Sequence, residues 1–194
     1  MKIDEVLHKF VNAKKPDAEA HKRQIGRYWS SEINGIKSGY VTPQNFFEEK
    51  EKNISSCRLI LSGIAMEDML TKIFTAQKVD VIPQEKKEIK INDEIVLVVK
   101  PDFVFPNMVI ETKFPFSISE SKTIPERYLY QLECTHQAYP DKKVYVGLFS
   151  IPFNVELIEY IPSPKRWKNI QALIVAFHEE LKKISKEKKS IENI

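Results

Sequence analysis

The spacing of apolar residues along the chain predicts which segments are helices. In four segments apolar side chains recur every three or four positions, as they do on one face of an α-helix. These segments are residues 3–13, 54–76, 125–139 and 164–190. Pro125 and Pro140 stand at the two ends of the third segment, where prolines commonly begin and end helices. Thr42-Pro43 predicts one further helix, with Phe46 and Phe47 on its buried face.

Alternation of apolar and polar positions predicts β-strands between these helices. The predicted strands are residues 79–81, 86–91, 94–99, 102–105, 108–113, 143–151 and 155–161. The chain therefore runs from helices through a group of strands, a helix, two more strands and a last helix. This order predicts a mixed α/β fold, and a length of 194 residues is typical of one domain.

The stretch from Lys100 to Lys113 predicts a β-hairpin with a tight turn at Pro106-Asn107. The register expected for that turn pairs Val104 with Val109, Phe103 with Ile110 and Asp102 with Glu111. Side chains alternate along a strand, so Asp102, Glu111 and Lys113 share one face. The other face is expected to be the core face, and it carries Phe103, Phe105, Met108, Ile110 and Thr112.

The predicted register places two carboxylates opposite each other on the hairpin. Asp102 and Glu111 would face each other with Cβ atoms about 5 Å apart, which is destabilising for like charges unless something separates them. A divalent cation does so, because hard cations take carboxylate oxygens as ligands. Lys113 brings an ammonium group to the same face. The surrounding residues are apolar, and charges among buried strands are costly unless they are paired or bind a metal.

Pro101-Asp102 followed by Glu111-Thr112-Lys113 resembles the signature of the PD-(D/E)XK nuclease superfamily. The resemblance implies a restriction-endonuclease-like αβββαβ core over about residues 55–165, extended by N-terminal helices and a long C-terminal helix. It implies a single nuclease domain over residues 1–194, with a helical N-terminal part to about residue 76. By the same resemblance, Asp102, Glu111 and the Thr112 carbonyl would bind Mg²⁺ or Mn²⁺, and Lys113 would assist the attacking water.

Two further segments resemble the RecB-like branch of that superfamily. In that branch a helical glycine is followed four residues later by a metal-binding histidine, and here Gly63 is followed by Glu67. A carboxylate at this position favours a hard cation, although Glu67 could also be an exposed helical residue and Asp68 is a competing ligand. In the helix after the lysine, Gln131 matches the glutamine of the branch and is expected to contact the scissile phosphate or the attacking water.

The tyrosine that follows this glutamine in the branch is absent at the matching position. Thr135 stands there, and Tyr139, one helical turn further on, is the alternative. The chain is similar to CRISPR-associated RecB-like exonucleases and their relatives in archaeal viruses. Those enzymes carry four cysteines that hold an iron–sulfur cluster, whereas this chain has only Cys57 and Cys134, so no cluster is expected.

Basic and aromatic residues predict where nucleic acid would bind. Arg27 and Trp29 lie in a segment that mixes both types, which suits a phosphate backbone and stacked bases. The alternative is a solvated linker whose Trp29 covers the core. Tyr128 and Tyr139 are the candidates on the third helix. The net charge of +3 permits nucleic acid as a partner without requiring it.

Three functions remain open from the sequence. The first is a metal-dependent deoxyribonuclease acting on single-stranded DNA, by endo- or exonucleolytic cleavage. The second is a structure-specific resolvase or a restriction-type endonuclease, and the third is a nucleic-acid-binding protein without activity. The sequence shows no signal peptide at its start and no apolar run near the roughly 20 residues of a membrane span. A cytoplasmic location without a membrane partner is therefore expected.

Overall fold

The computed structural model describes residues 3–12, 23–48, 53–114, 123–150 and 154–192. Within these ranges the α-helices lie where apolar spacing predicts them, with one short addition. They are α1 Ile3–Asn12, α2 Ile33–Lys37, α3 Ile54–Ala76, α4 Glu126–Ala138 and α5 Pro164–Glu192. A 3-10 turn, Ser30–Glu32, leads into α2. Asn53 caps α3 by accepting a hydrogen bond from the Ser56 N–H at 2.8 Å.

The described strands form two mixed sheets. They are β1 Arg27–Trp29, β2 Ile82–Pro83, β3 Lys87–Lys90, β4 Val96–Val99, β5 Phe103–Val104, β6 Met108–Lys113, β7 Lys143–Ser150 and β8 Asn154–Glu159. The larger sheet has the order β2-β5-β6-β7-β8, and the smaller has the order β1-β4-β3. In the larger sheet only β6 and β7 pair in parallel, and α4 is the crossover that a parallel pair requires.

The elements α3, β2, β5, β6, α4 and β7 follow the predicted αβββαβ order. The fold class predicted from the sequence is therefore confirmed, including the long C-terminal helix. The strands β3 and β4 pair as expected, but they leave the main sheet and join β1 instead. In the sequence, β3 and β4 lie between β2 and β5 of the larger sheet. The chain therefore leaves the larger sheet after β2 and returns to it at the hairpin, directly after β4.

The hairpin has the predicted turn and register over its paired residues. Phe103 pairs with Ile110 and Val104 with Val109, and the Phe105 N–H donates to the Met108 carbonyl at 2.8 Å. The ladder ends at Phe103, so the predicted pairing of Asp102 with Glu111 is wrong. Asp102 lies beyond the ladder, where its carboxylate bonds to a neighbouring residue of β6.

Both faces of the hairpin are buried, which corrects the expectation of a single core face. Phe103 and Ile110 pack with Leu70 of α3, whereas Val104 and Val109 pack in a second cluster that includes Leu132 of α4. The β-sheet thus lies between α3 on one face and α4 on the other. The charged residues of the hairpin lie under α4 or beside α3, not on an open surface.

The segment around Trp29 is not a solvated linker. Arg27, Tyr28 and Trp29 form β1, which pairs in parallel with β4 and places Trp29 opposite Val98. Tyr28, the middle residue of β1, is fully buried. It packs against Phe46 and against Phe177, which lies on α5. The buried aromatic residue of this strand is therefore Tyr28, and Trp29 is only partly buried.

Two other local predictions are wrong. Residues 79–81 form no strand; the short strand lies just after them, at β2. The segment after Thr42 forms a turn instead of a helix, because the Thr42 and Asn45 side chains each accept a hydrogen bond from the other residue's N–H. In this turn Phe46 is buried and Phe47 is 53% exposed. The sequence also predicts a polar loop over residues 114–123 and a turn at residues 152–154, and both lie largely outside the described residues.

The C-terminal helix carries the predicted apolar stripe. Ile170, Ile174, Phe177 and Leu181 are buried in a cluster with Tyr28 and Leu97 of the smaller sheet. Cys57 and Cys134 are both buried, and they form no disulfide bond with each other. In the described part of the chain, no helix is long and apolar enough to cross a membrane.

Candidate active site

Asp102 is held at the open end of the hairpin by Thr112. Asp102 Oδ2 accepts two hydrogen bonds, from the Thr112 N–H and from its hydroxyl, both at 2.6 Å. Hydrogen bonds to a charged acceptor are stronger than neutral ones, so this pair fixes the carboxylate against β6. Asp102 follows Pro101, whose ring restricts the backbone at the point where the chain leaves β4.

Glu111 lies in the middle of β6 and is almost fully buried, with 1% of its surface exposed. The carboxylate has neutral partners on α4. The Gln131 amide donates to Glu111 Oε2 at 2.9 Å, and the Thr135 hydroxyl donates to Oε1 at 3.0 Å. Gln131 and Thr135 are four residues apart, so both project from the same side of α4. These contacts place the predicted glutamine against a predicted metal ligand.

Burial raises the pKa of Glu111 to about 7, because an ionised carboxylate loses hydration there. The positive charge of Lys113 opposes this rise, and the negative charges of Asp102 and Glu67 add to it. The Lys113 ammonium lies 3.7 Å from Glu111 Oε2 and is 22% exposed. It also lies 5.5 Å from the centre of the Tyr128 ring. The Lys113 ammonium group is therefore partly open to solvent, while the Glu111 carboxylate next to it is buried.

Glu67 reaches the same region from α3. Its pKa is raised to about 6, first by burial and then by the negative charge of Asp102. The Gln84 amide donates to Glu67 Oε2 at 3.4 Å. Glu67 and Asp102 both line a cavity of about 240 Å³. Its other lining residues are Asp68, Thr71, Pro83, Gln84 and Phe103. Asp68 is exposed and borders this cavity, so the alternative ligand is close to the predicted one.

The donor set suits a hard divalent cation. The negative charge of Asp102 raises the pKa of both Glu67 and Glu111, so the three carboxylates are close enough to repel one another. Oxygen ligands of this kind are those that Mg²⁺ and Mn²⁺ prefer. Among the described residues, however, the three carboxylates do not lie within 4.8 Å of one another, and the acidic and histidine group that does is Glu94, His178 and Glu179.

The predicted nucleic-acid contacts are spread over different places. Tyr139 is fully buried and its hydroxyl donates to Glu85 Oε2 at 2.9 Å, so its ring is closed to a stacked base. Arg27 is paired with Glu88 at 2.6 Å on the smaller sheet. Trp29 borders a separate cavity of about 240 Å³ that Lys100 also lines. Tyr128 alone of the four lies beside Lys113.

Sequence reasoning missed two contributors to this site. Thr135 departs from the tyrosine of the RecB-like pattern, yet its hydroxyl donates a hydrogen bond to Glu111. Its position four residues after Gln131 was the available signal. Gln84, which bonds to Glu67, comes from the loop after β2 and carries no signal in the sequence. A glycine inside a helix predicts close packing against a neighbour, but among the described residues an added Cβ at Gly63 would meet only Phe114, at 3.9 Å.

Comparison with known proteins finds similarity in structure. No family model matches the chain, and no curated protein matches it. An alkaline exonuclease from Laribacter hongkongensis superimposes with a TM-score of 0.66 at 13% sequence identity, over 92% of this chain and 99% of the other. The complex of that exonuclease with dAMP gives a TM-score of 0.64 at 12% identity, over 87% and 95% of the two chains.

A phage-related exonuclease from Haemophilus somnus 129PT gives a TM-score of 0.51 at 12% identity, over 95% of this chain and 94% of the other. Identities this low leave little detail of sequence in common, so the likeness is one of fold. The chain has the same kind of mixed α/β fold as these exonucleases.

Proposed function

We propose that this chain is a metal-dependent deoxyribonuclease that hydrolyses phosphodiester bonds, with single-stranded DNA as its substrate. The observation that carries the proposal is the arrangement on β6: Glu111 is buried against Gln131, Lys113 stands 3.7 Å away, and Asp102 is fixed by Thr112. The fold shared with proteins named as exonucleases supports the same reaction class. The dAMP complex of one of them supports DNA as the substrate.

In this proposal Asp102, Glu111 and Glu67 hold Mg²⁺ or Mn²⁺, together with the Thr112 carbonyl. A bound cation of this kind supplies Lewis-acid stabilisation of phosphoryl oxygens and lowers the pKa of a bound water. The role of Thr112 is also structural, because its N–H and hydroxyl keep Asp102 in place.

The remaining residues act on the substrate and on Glu111. Lys113 offers a fixed positive charge to a phosphoryl oxygen of the scissile group, where negative charge develops during hydrolysis. Gln131 and Thr135 hold both oxygens of Glu111, so the carboxylate keeps one orientation. Arg127 lies 4.8 Å and Lys113 5.5 Å from the centre of the Tyr128 ring, so this ring offers a base a stacking surface beside two cations.

We place the chain in the RecB-like branch of the PD-(D/E)XK superfamily, and the contact between Gln131 and Glu111 supports this. Thr135 replaces the tyrosine of that branch, with a direct bond to Glu111. Tyr139 does not act in its place, because its hydroxyl is committed to Glu85. We further propose that the whole chain is one nuclease domain.

The test is cleavage of a 5′-end-labelled oligonucleotide, single-stranded or annealed to its complement, with Mg²⁺, Mn²⁺ or EDTA. Lys113→Ala is the active-site variant. Lys90→Ala is its matched control, because Lys90 is an exposed lysine paired with Asp93 on the other sheet. We expect the wild type and the control to cut single strands only with metal, and Lys113→Ala to lose activity by roughly 100-fold or more. Cleavage in EDTA, or full activity of Lys113→Ala, would overturn the proposal.

A second substrate, an internally labelled circular single strand, separates the modes of cleavage. An endonuclease cuts the circle, whereas an exonuclease cuts only the linear strand, because the circle has no end. Preference for branched or duplex substrates would instead favour a resolvase or a restriction-type enzyme.

A further inference from the structure

A second group of metal-binding side chains lies at the end of the molecule formed by α5 and the smaller sheet. Glu94 belongs to the turn between β3 and β4, and His178 and Glu179 are neighbours on α5. One ligand atom from each of the three lies within 4.8 Å of the others. None of these residues belongs to the hairpin site.

His178 has a buried ring nitrogen without a hydrogen-bond partner, which points to a missing ligand. The imidazole is 2% exposed, and its Nδ1 lies 2.8 Å from the Tyr28 hydroxyl. The other ring nitrogen, Nε2, is buried and has no hydrogen-bond partner. A buried polar atom without a partner costs free energy, and burial without compensation is rare. The Nε2 atom lies 3.5 Å from Glu94 Oε2, so an atom bound between these two residues would give Nε2 the partner that it lacks.

One distance in this group, between His178 and Glu94, fits two neighbouring ligands of a tetrahedral metal. His178 Nε2 lies 3.5 Å from Glu94 Oε2. Zinc binds imidazole nitrogen and carboxylate oxygen at about 2.1 Å, so two ligands at the tetrahedral angle stand about 3.4 Å apart. The observed separation is too long for a good hydrogen bond but close to the edge of a metal tetrahedron. The Tyr28 hydroxyl would be the outer partner that orients the ring, as is usual for metal-binding histidines.

Gly26 allows the turn to come this close to α5. Its φ is +84°, and an added Cβ would lie 2.4 Å from the Glu94 carbonyl oxygen and 3.8 Å from His178 Cε1. Any other residue would push Glu94 away from the imidazole. The Gly26 carbonyl also accepts a hydrogen bond from the Val96 N–H at 2.8 Å, which holds Gly26 against the chain two residues after Glu94.

Lys182 now occupies one side of Glu94. Its ammonium lies 2.7 Å from Glu94 Oε2 and 3.0 Å from Oε1. Lys182 is partly exposed and sits one turn after His178, so its long side chain can turn towards water. Glu94 and Glu179 bring two carboxylate groups to the site, against one ammonium group from Lys182. A divalent cation would compete with Lys182 for Glu94.

We propose that Glu94, His178 and Glu179 form a site for a divalent transition metal such as Zn²⁺, which ties α5 to the turn between β3 and β4. Imidazole with carboxylates suits Zn²⁺ better than Mg²⁺, whereas the hairpin offers oxygen ligands alone. The site is independent of the hydrolytic reaction, and its role is to join two elements that are far apart in the sequence.

The test is titration of the full chain with Zn²⁺ by calorimetry, with circular dichroism to verify folding. Glu94→Gln and Glu179→Gln change exposed side chains and should leave the fold intact. Each should weaken one Zn²⁺ binding event by roughly tenfold or more, since loss of outer partners alone costs that much. Glu88→Gln on β3 and Glu67→Gln at the hairpin are the controls, and both should leave this event unchanged.

Lys182→Ala gives a result of opposite sign. Removing the competing ammonium should tighten Zn²⁺ binding by up to about fivefold, the worth of an exposed ion pair. In nitrogen NMR spectra of the wild type, Zn²⁺ should shift the His178 Nε2 resonance. The proposal is overturned if Glu94→Gln and Glu179→Gln bind Zn²⁺ as the wild type does, or if Lys182→Ala binds it no more tightly.

Discussion

The Asp102 carboxylate accepts two hydrogen bonds from one residue, the N–H and the hydroxyl of Thr112, both at 2.6 Å. The two residues stand on the two arms of the hairpin, just beyond the last paired position of β5. This contact replaces the direct pairing of Asp102 with Glu111 that the turn predicts. It draws one carboxylate towards β6 while the other stays buried beneath α4.

Removing the Thr112 hydroxyl should weaken the hairpin. Thr112→Val keeps the branched shape and the backbone N–H but leaves Asp102 with one bond instead of two. We expect a loss of about 1–3 kcal/mol in the free energy of unfolding, the usual cost for a bond to a charged group. Urea unfolding of both proteins measures the difference. Thr112→Ser keeps the hydroxyl and should stay near the wild type, and equal losses in both variants would assign the effect to packing.

The pKa of Glu111 predicts how stability depends on pH without metal. Its folded value of about 7 lies above the usual 4.5, so the folded protein holds a proton that the unfolded chain releases. The stabilisation is complete below pH 4.5 and is lost as pH rises through 7. Over this range the wild type should lose about 3 kcal/mol more than Glu111→Gln, which cannot titrate. Urea unfolding in EDTA at pH 5 and pH 8 measures this, and parallel profiles would contradict it.

Gln131 should matter for catalysis more than for DNA binding. Its amide holds Glu111 Oε2, so Gln131→Ala frees the carboxylate to reorient. We expect a fall in the cleavage rate of about 10–100-fold, in the range found for residues that orient a metal ligand. Single-turnover cleavage and a gel shift separate rate from affinity. Gln137→Ala is the control, because Gln137 lies on the same helix and bonds to Glu133 instead.

A second buried carboxylate should contribute to stability alone. Glu133 is fully buried, and it accepts hydrogen bonds from the Tyr160 hydroxyl and from the Ser163 N–H. Tyr160→Phe should cost about 1–3 kcal/mol, because it removes a hydrogen-bond donor from a buried carboxyl group. Tyr145→Phe should cost much less, since the Tyr145 hydroxyl bonds to Glu159 at the surface. Thermal unfolding compares them, and equal costs would contradict this assignment.

Local patterns in the sequence were sufficient for the elements that bury a regular face. The long helices carry apolar residues at helical spacing, and the turn at Pro106-Asn107 determined the register of Phe103 with Ile110. The prolines beside α4 marked its ends to within a residue.

Elements held by distant partners could not be predicted in the same way. β1 has three residues and pairs in parallel with β4, about 70 residues later, so no local alternation marks it. The turn after Thr42 carries helix-start residues, but side-chain bonds with Asn45 close it instead. The burial of Tyr139 and its bond to Glu85 likewise depend on tertiary packing. So does the approach of Glu94 to His178.

The measurement that tests the account most directly is the single-turnover rate at which Asp102→Asn cleaves labelled single-stranded DNA with Mg²⁺ or Mn²⁺. Asp93→Asn is the matched control, since Asp93 is an exposed aspartate paired with Lys90. The account predicts that the wild type and Asp93→Asn cut at the same rate. It predicts that Asp102→Asn binds DNA but cuts roughly 100-fold more slowly or not at all. Cleavage by Asp102→Asn at the wild-type rate would contradict the assignment of the hairpin as the active site.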